Sequence, residues 1–253
     1  MDSPQALAGK RIAVLAADGF EQSELQKPVA ALKDAGAEVE VVALRAGRIR
    51  GMHVHQSGEL QRVDTTLAEA MPTDYDALLV PGGYISPDQL RQSAAARAFI
   101  RQMHELGKPV ALMSQAPLLL VSTGLAAGRM LTSWPGVRDD MVNAGATWLN
   151  QATVRHDGCL TSRGPQDIGD FIQALLPFYA GVPDSAARQD AESDPPQQEP
   201  SEHPDQPLRW LSAPSVGAML SLALLGVGVV AANRGMRKKQ AASEAADGGA
   251  DAS

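Results

Sequence analysis

Cysteine is almost absent from this chain: its 253 residues include only Cys159. A single thiol excludes an intramolecular disulfide and any metal cluster built on several cysteines. Such sparing use of cysteine fits a reducing compartment, where thiols are not paired. Because Cys159 follows a His-Asp-Gly turn and opens a short apolar stretch, we interpret it as a small buried residue rather than as a nucleophile.

Positive charge is also in short supply. The chain has 22 Lys and Arg against 29 Asp and Glu, which gives a formal net charge of -7. Binding of nucleic-acid phosphates requires a basic face, and no helical stretch of this sequence concentrates Lys and Arg on one side. Nucleic acid is therefore not expected as a partner. The stretch before the first predicted strand is polar and only about nine residues long, so no signal peptide is expected either.

Aromatic residues are few, and all of them except Trp210 lie before residue 181. The same part of the chain alternates regularly between apolar and polar stretches, and it is long enough to bury a core. We therefore predict one folded domain over residues 1–181, followed by appendages that do not belong to its core.

The C-terminal part of the chain is different in character. Residues 182–210 are acidic and rich in Pro, Gln and Ser, which predicts a disordered linker. Residues 211–233 contain no charged residue, and about 20 apolar residues are enough to cross a bilayer core, so we predict one transmembrane helix. Trp210 precedes this stretch, and the short tail 234–253 begins with a basic cluster. The alternative is a helix buried in a protein core. It is disfavoured because the long predicted linker separates this stretch from the folded domain.

Two features of the sequence bear on the orientation of that helix, and they conflict. Basic residues after the helix favour a cytoplasmic C-terminus and hence an external domain. However, no signal peptide that would export the folded part is expected. We expect a single-pass membrane protein whose domain faces the cytoplasm. Gly217 and Ser221 form a small-xxx-small pair that would let two such helices approach closely.

Within the domain, short apolar stretches alternate with helical patterns. This alternation predicts an α/β fold with a mostly parallel sheet between helices. The predicted strands cover residues 12–16, 38–44, 77–80, 109–113, 130–134, 146–149, 153–155 and 159–162, with a small hairpin or edge strand in the polar stretch after Gly47. The predicted helices cover residues 23–35, 88–106, 118–123 and 166–179.

In such sheets a ligand crevice lies at the carboxyl ends of the strands. Three turns follow predicted strands and should meet there, at residues 18–21, 81–83 and 114–117. Candidate functional residues are therefore sought in these turns.

With these elements in order, residues 10–179 resemble the DJ-1/PfpI superfamily, specifically its PfpI-like (protease I) branch. The resemblance spans many separate segments in the same order along the chain. They are AADGFEQ at residues 16–22, LVPGG at 79–83, GKPVA at 107–111, GR at 128–129, LTSWPG at 131–136 and DDMVNAGA at 139–146.

The resemblance implies a flavodoxin-like sandwich and a homo-oligomer whose sites lie near a subunit interface. It also implies the activities described for the family, which are those of cysteine peptidases, chaperones and glyoxalase- or deglycase-like enzymes. The ligand would then be a small carbonyl compound or a peptide, with no cofactor. The family site has a Cys at the strand-to-helix elbow, followed by His and Gly. By this resemblance, Glu21 matches the family Glu beside the thiol, and Gly82 and Gly83 match the glycines of an oxyanion pocket.

The elbow itself departs from the family pattern. Where the family reads Cys-His-Gly-Pro, this chain reads Ser114-Gln115-Ala116-Pro117. A serine hydroxyl requires an adjacent base in order to attack, whereas a thiolate is reachable near neutral pH. Gln115 can form hydrogen bonds but cannot accept a proton at neutral pH. Ala116 keeps the small size that a sharp elbow tolerates, so we expect the shape of the turn to be retained although the reactive Cys and His are replaced.

Other residues offer weaker alternatives for a site. Ser114 lacks the Gly-x-Ser-x-Gly setting of a hydrolase elbow. The candidate bases His53, His55, His104 and His156 lie in polar stretches typical of solvated histidines. His53 and His55 would share one strand face, but two ligands are too few for a zinc site, so no metal is expected. Buried beside a hydroxyl and an amide, Glu21 is expected to be protonated and to orient its neighbours.

Two functions follow from these features. The first is a catalytically degenerate DJ-1/PfpI-like protein, tethered to a membrane and acting as a binding or scaffold module. The second is an active enzyme that uses Glu21 and Ser114 in a serine variant of the family chemistry or in hydration of a small carbonyl compound. Both assign Ser114, Gln115 and Glu21 to the reacting positions and Gly82, Gly83 and Ala116 to substrate binding. The first is preferred, because only the second requires a base to be found.

Overall fold

A seven-stranded sheet forms the centre of the domain. The computed structural model describes residues 5–53, 56–183 and 192–196. The strands are β1 (Arg11–Leu15), β2 (Phe20–Glu21), β3 (Glu38–Ala43), β4 (Arg48–His53), β5 (Gln56–Arg62), β6 (Thr65–Thr66), β7 (Ala77–Val80), β8 (Val110–Met113), β9 (Met130–Leu131), β10 (Thr147–Trp148), β11 (Thr153–His156) and β12 (Cys159–Ser162).

The strand order of the central sheet is β11-β12-β8-β7-β1-β3-β6. Every neighbouring pair is parallel except β11 and β12, which run antiparallel. The innermost strands β7 and β8 are buried at every position, as expected for parallel strands that are covered on both faces. This confirms the predicted α/β, flavodoxin-like architecture with a mostly parallel sheet.

Helices cover both faces of the sheet. They are α1 (Gln22–Asp34), α2 (Ser86–Gln92), α3 (Ala94–Glu105), α4 (Leu118–Thr123), α5 (Arg138–Asn143) and α6 (Ile168–Tyr179). Helices α1 and α6 share one apolar core with the sheet, and α2 to α5 share the other. A single layer of strands thus supports two separate cores, and the carboxyl ends of the strands are left to form the crevice.

The structure differs from the sequence-based expectation in its helices. The helix predicted over residues 88–106 is two helices, because the backbone of Ser93 is extended and its Oγ accepts a hydrogen bond from the Ala96 N–H at 3.2 Å. This side chain caps the start of α3, which ends α2 one residue earlier. Helix α5 was not predicted, because its only apolar residues, Met141 and Val142, are adjacent and show no helical period.

A second, three-stranded sheet covers one side of the crevice. It is formed by β4 and β5, which make an antiparallel hairpin, with β2 added in parallel to β4. The polar stretch after Gly47 was expected to form a hairpin or an edge strand, and the hairpin is present. It brings His53 towards the segment that carries Glu21.

The C-terminal expectations fall largely outside the described residues. The chain divides into two units at residues 197 and 198, and the second unit lies wholly beyond the described part. So do the predicted transmembrane helix 211–233 and the tail 234–253. Among the described residues, no helix is long and apolar enough to cross a membrane. Of the predicted linker 182–210, residues 182–183 and 192–196 are described, and Ser193 and Asp194 contact the domain.

Candidate functional site

The strand-to-helix elbow is the most constrained turn of the crevice. Ser114 follows β8 directly and has a φ of 52°, one of two positive values among the described residues other than glycine. A residue with a side chain rarely adopts this conformation unless its surroundings impose it. Here the Ser114 N–H donates to the Ser162 carbonyl at 2.9 Å, and the Ser114 carbonyl accepts from the Trp134 N–H at 2.8 Å. The sharp strand-to-helix turn expected from the sequence is therefore present, and two backbone hydrogen bonds hold it.

The side chain of Ser114 points at a buried carboxyl group. Its hydroxyl donates to Oε1 of Glu24 on α1, and Oε2 of Glu24 accepts the backbone N–H of Gly82 at 2.8 Å. Glu24 is completely buried, and Ser114 is 2% exposed. The two residues form a closed pair, in which each carboxyl oxygen already has one donor.

Burial changes the ionisation of this carboxyl group. Desolvation raises the pKa of Glu24 from 4.5 to about 7, and the nearby charge of Glu21 adds to the increase. The hydrogen bonds from Ser114 and Gly82 act in the opposite direction, because they stabilise the carboxylate. Glu24 therefore changes between its neutral and charged forms near physiological pH.

This arrangement corrects the sequence-based assignment of the carboxyl group by about one helical turn. Glu21 was expected beside the elbow, but Glu24 is the residue that contacts Ser114. The carboxylate of Glu21 accepts from the Ser23 hydroxyl at 3.0 Å and lies 3.8 Å from Nδ1 of His53. The physical reason is the phase of α1: Glu24 shares the buried face of the helix with Pro28 and Leu32, whereas Glu21 precedes the helix. A carboxyl group on an apolar helix face was the feature of the sequence that could have revealed it.

The two glycines of the crevice have different neighbours: Gly82 lies against Ser114 of the elbow, and Gly83 lies against the turn at residues 19–21. A Cβ added at Gly82 would stand 2.5 Å from the Cβ of Ser114 and 2.8 Å from Oε2 of Glu24. Gly83 has a φ of 107°, and a Cβ there would meet the Gly19 carbonyl oxygen at 2.4 Å. Both positions require glycine, because no side chain fits between these turns.

The side chain of Gln115 binds the backbone N–H of Gly83, which an oxyanion pocket would offer to its ligand. Its amide oxygen Oε1 accepts the backbone N–H of Gly83 at 3.2 Å, and the residue is largely buried. With the Gly82 N–H bonded to Glu24, the N–H groups of both glycines are satisfied by side chains of this chain. Ala116 is fully buried, and its methyl group belongs to the core shared with α2 to α5.

The remaining candidates lie apart from the elbow. Nε2 of His104 is 3.0 Å from a guanidinium nitrogen of Arg129, and Nδ1 of His156 accepts the Met130 N–H at 3.4 Å. Arg129 also bonds Asp157, in the turn before the first residue of β12, so this cluster lies at the amino end of that strand. His53 is exposed and contacts Glu21 rather than Ser114, and His55 lies outside the described residues.

Cys159 is a structural residue at that same end of β12. It is buried, and desolvation raises the pKa of its thiol to about 11. A thiol with this pKa is almost entirely protonated at neutral pH and is a poor nucleophile. Within the part of the chain that the structure describes, no group of three or more His, Cys, Asp or Glu side chains is arranged to hold a metal ion.

Comparison with known proteins places this geometry in a family. The chain is 39% identical over 166 residues to a deglycase of Pyrococcus abyssi and, over the same length, to the deglycase PfpI of Pyrococcus furiosus. Each alignment covers 66% of this chain and 97% of the relative. Among solved structures, a two-domain protein of Anabaena variabilis with DJ-1/ThiJ/PfpI-like and ferritin-like domains matches with a TM-score of 0.62 and 32% identity. That match covers 69% of this chain and 50% of the other.

The family pattern itself matches residues 10–177, which include every residue of the elbow, of the carboxyl pair and of the glycine turn. The match covers more than half of the chain and coincides with the central sheet and its two helical layers. This chain belongs to the DJ-1/PfpI family.

Proposed function

We propose that this protein is a catalytically degenerate member of the DJ-1/PfpI family. In this proposal the domain acts as a binding or scaffold module and is tethered to a membrane by residues 211–233. The observation that carries the proposal is that the Ser114 hydroxyl and the Gly83 N–H, which a reaction at the elbow would use, already have hydrogen-bond partners within the chain. The Ser114 hydroxyl is bonded to Glu24, and the Gly83 N–H is bonded to Gln115.

The chemistry of the elbow supports this proposal. A cysteine at this position reacts as a thiolate, whereas a serine must lose its proton during attack. Proton transfer by a positioned base contributes roughly a hundred- to ten-thousand-fold to a rate. Gln115 cannot supply it. An oxyanion would also have to displace the Gln115 amide from the Gly83 N–H before it could be stabilised there.

A second candidate function rests on Glu24. The pKa of its carboxyl group is raised to about 7, and it accepts the Ser114 hydroxyl directly, so it is the base that a serine variant would need. Relatives at 39% identity are named deglycases. An active enzyme of the deglycase, glyoxalase or peptidase type is therefore the alternative, with Glu24 rather than Glu21 in the role of base.

Turnover measurements separate the two functions. We expect the purified full-length chain to convert neither methylglyoxal nor a panel of fluorogenic peptides above the rate of buffer, and Ser114→Ala to be indistinguishable from it. Ser122→Ala is a matched control, because its hydroxyl is bonded to Arg91 on α2 and lies outside the elbow. Turnover that is present in the wild type, lost in Ser114→Ala and kept in Ser122→Ala would establish the active alternative.

The membrane part of the proposal rests on the uncharged stretch 211–233 and the basic residues that follow it. We expect the full-length chain to stay in the membrane fraction after alkaline carbonate extraction and to be released when residues 211–253 are deleted.

We also expect the domain to be protected from protease added to intact spheroplasts, since it is proposed to face the cytoplasm. Recovery of the full-length chain in the soluble fraction would contradict the tether, and digestion from outside would reverse the orientation. Cross-linking in the same membranes tests the proposed homo-oligomer.

A further inference from the structure

Among the described strands, β10 pairs with β9 alone, so its other edge has no strand partner in this part of the chain. Successive N–H groups of a strand point in opposite directions. The N–H groups of Thr147 and Leu149 bond to the carbonyls of Arg129 and Leu131 beside and within β9. Those of Trp148 and Asn150 face the other way, away from β9. This edge therefore offers two donors and the Trp148 carbonyl to an additional segment.

Residues 192–196 occupy this edge. The Trp148 N–H donates to Oγ of Ser193 at 3.0 Å, and the Asp194 N–H donates to the Trp148 carbonyl at 2.8 Å. The Asn150 N–H donates to Oδ2 of Asp194 at 2.7 Å. Two consecutive residues of the acidic extension thus satisfy all three polar groups of the edge.

An arginine on α5 holds the same segment from the side. Nε of Arg138 donates to the Asp194 carbonyl at 2.8 Å, and its guanidinium lies 5.9 Å from the centre of the Trp148 ring. Asp194 therefore makes three hydrogen bonds to the domain, through its N–H, its carbonyl and its carboxylate. The next two residues are prolines, which lack an N–H, so the pairing ends at Asp194 for a chemical reason.

The docked edge is connected to the elbow through one side chain. The indole Nε1–H of Trp148 donates to Oγ of Ser133 at 2.9 Å, and the following residue, Trp134, donates its N–H to the Ser114 carbonyl. Trp148 is fully buried. The residue whose backbone binds the segment is therefore hydrogen-bonded, through its side chain, to the stretch Ser133-Trp134 that contacts the elbow.

We propose that the open edge of β10 is a docking site for the chain's own Ser193-Asp194 segment, so that residues 192–196 act as a strap that fixes where the C-terminal extension leaves the domain. The specificity comes from a Ser-Asp pair with proline directly after it. Under the membrane tether of the proposed function, on which this consequence rests, the strap leaves residues 197–210, instead of residues 182–210, between the attachment to the domain and the predicted membrane helix. At most about 3.5 Å per residue, the reach of the linker falls from about 100 Å to about 50 Å.

Hydrogen exchange of individual amides in the full-length chain tests the strap. We expect the Trp148 and Asn150 amides to be protected in the wild type, and Asp194→Ala to speed their exchange about tenfold or more, because a hydrogen bond to a charged acceptor and its neighbours are lost. The Thr147 and Leu149 amides, which bond to the β9 side, are an internal reference and should not change. Glu192→Ala is the matched control, because this neighbouring acid is exposed and the hydrogen bonds to the edge come from Ser193 and Asp194.

The outcomes are distinct from those of the membrane proposal, because amide exchange reports docking whether or not residues 211–233 span a bilayer. Equal exchange of Trp148 and Asn150 in the wild type and in Asp194→Ala would overturn the strap. So would faster exchange of all four amides in Asp194→Ala, since that would indicate loosening of β10 itself. If Asp194→Ala speeds the exchange of the Trp148 and Asn150 amides but leaves membrane extraction unchanged, the docking is confirmed and the membrane tether is unaffected.

Discussion

Replacing Glu24 with glutamine is expected to stabilise the domain at pH 8 and to remove a large part of the pH dependence of its stability. The pKa of Glu24 is raised from 4.5 to about 7 in the folded protein, mainly by desolvation. Between these two values the folded state binds a proton that the unfolded chain has released. Stability therefore falls as the pH rises from about 4.5 to about 7 and stays lower above that range. A shift of this size corresponds to about 3 kcal/mol.

Glutamine is uncharged at every pH in this range and keeps the geometry of the pair. Its amide oxygen can accept the Gly82 N–H, and its NH2 group can donate to the Ser114 hydroxyl. Urea unfolding of the wild type and of Glu24→Gln at a series of pH values, followed by tryptophan fluorescence, measures the effect. The difference between the two proteins should be small at pH 4.5 and approach about 3 kcal/mol in favour of the variant at pH 8.

Glu21→Gln is the control for this experiment. Glu21 lies near enough to contribute to the raised pKa of Glu24, but as the weakest of the causes, so most of the pH dependence should remain. Parallel stability curves for the wild type and Glu24→Gln would show that Glu24 is not the group that titrates. A slope lost in Glu21→Gln and kept in Glu24→Gln would assign the effect to the carboxyl group that the sequence motif suggested.

The contrast between these two glutamates illustrates what the sequence could and could not predict. The central strands were found from sequence because β7 and β8 are apolar at every position, a local property. The carboxyl group at the elbow was assigned three residues too early, because the motif fixes which turn contributes it but not the phase of the helix that follows. Which carboxyl group is buried depends on the packing of α1 against the sheet, and packing is not a local property.

Two other features were out of reach for related reasons. The break between α2 and α3 depends on one hydroxyl, because Ser93 caps the second helix instead of continuing the first. The composition of the linker indicated disorder, and composition cannot show that two of its residues match the open edge of β10. In both cases a few hydrogen bonds outweigh the average tendency of a segment.

At the elbow, by contrast, the backbone geometry is retained although the residues expected to react have been replaced. The positive φ of Ser114 costs free energy in any residue with a side chain, about 1 kcal/mol or more. Gly82 leaves no room for a methyl group between Ser114 and Glu24. A turn that keeps this strain and this close fit holds a side chain at position 114 in one orientation, and that orientation does not depend on whether the side chain ends in oxygen or sulfur.

Restoring the family residues should therefore restore reactivity. In Ser114→Cys/Gln115→His, the thiol would take the place of the Ser114 hydroxyl beside Glu24, and the Gly83 N–H would lose the amide oxygen that it now donates to. A thiolate needs no concerted removal of a proton, and an imidazole beside it lowers the pKa of the thiol. We expect methylglyoxal turnover to rise at least about a hundredfold above that of the wild type, the lower end of what a positioned acid–base group contributes.

Alkylation by iodoacetamide gives a second readout that does not depend on the choice of substrate. The introduced thiol should react below pH 8, whereas Cys159 is buried with its pKa raised to about 11 and should stay unlabelled in the folded protein. The single variants Ser114→Cys and Gln115→His are the controls, and the second should remain inactive because it has no thiol at the elbow. Rapid alkylation without turnover would place the loss of function elsewhere in the crevice. A double variant whose introduced thiol is as unreactive as Cys159 would show that the frame of the elbow does not by itself create the family's reactive site.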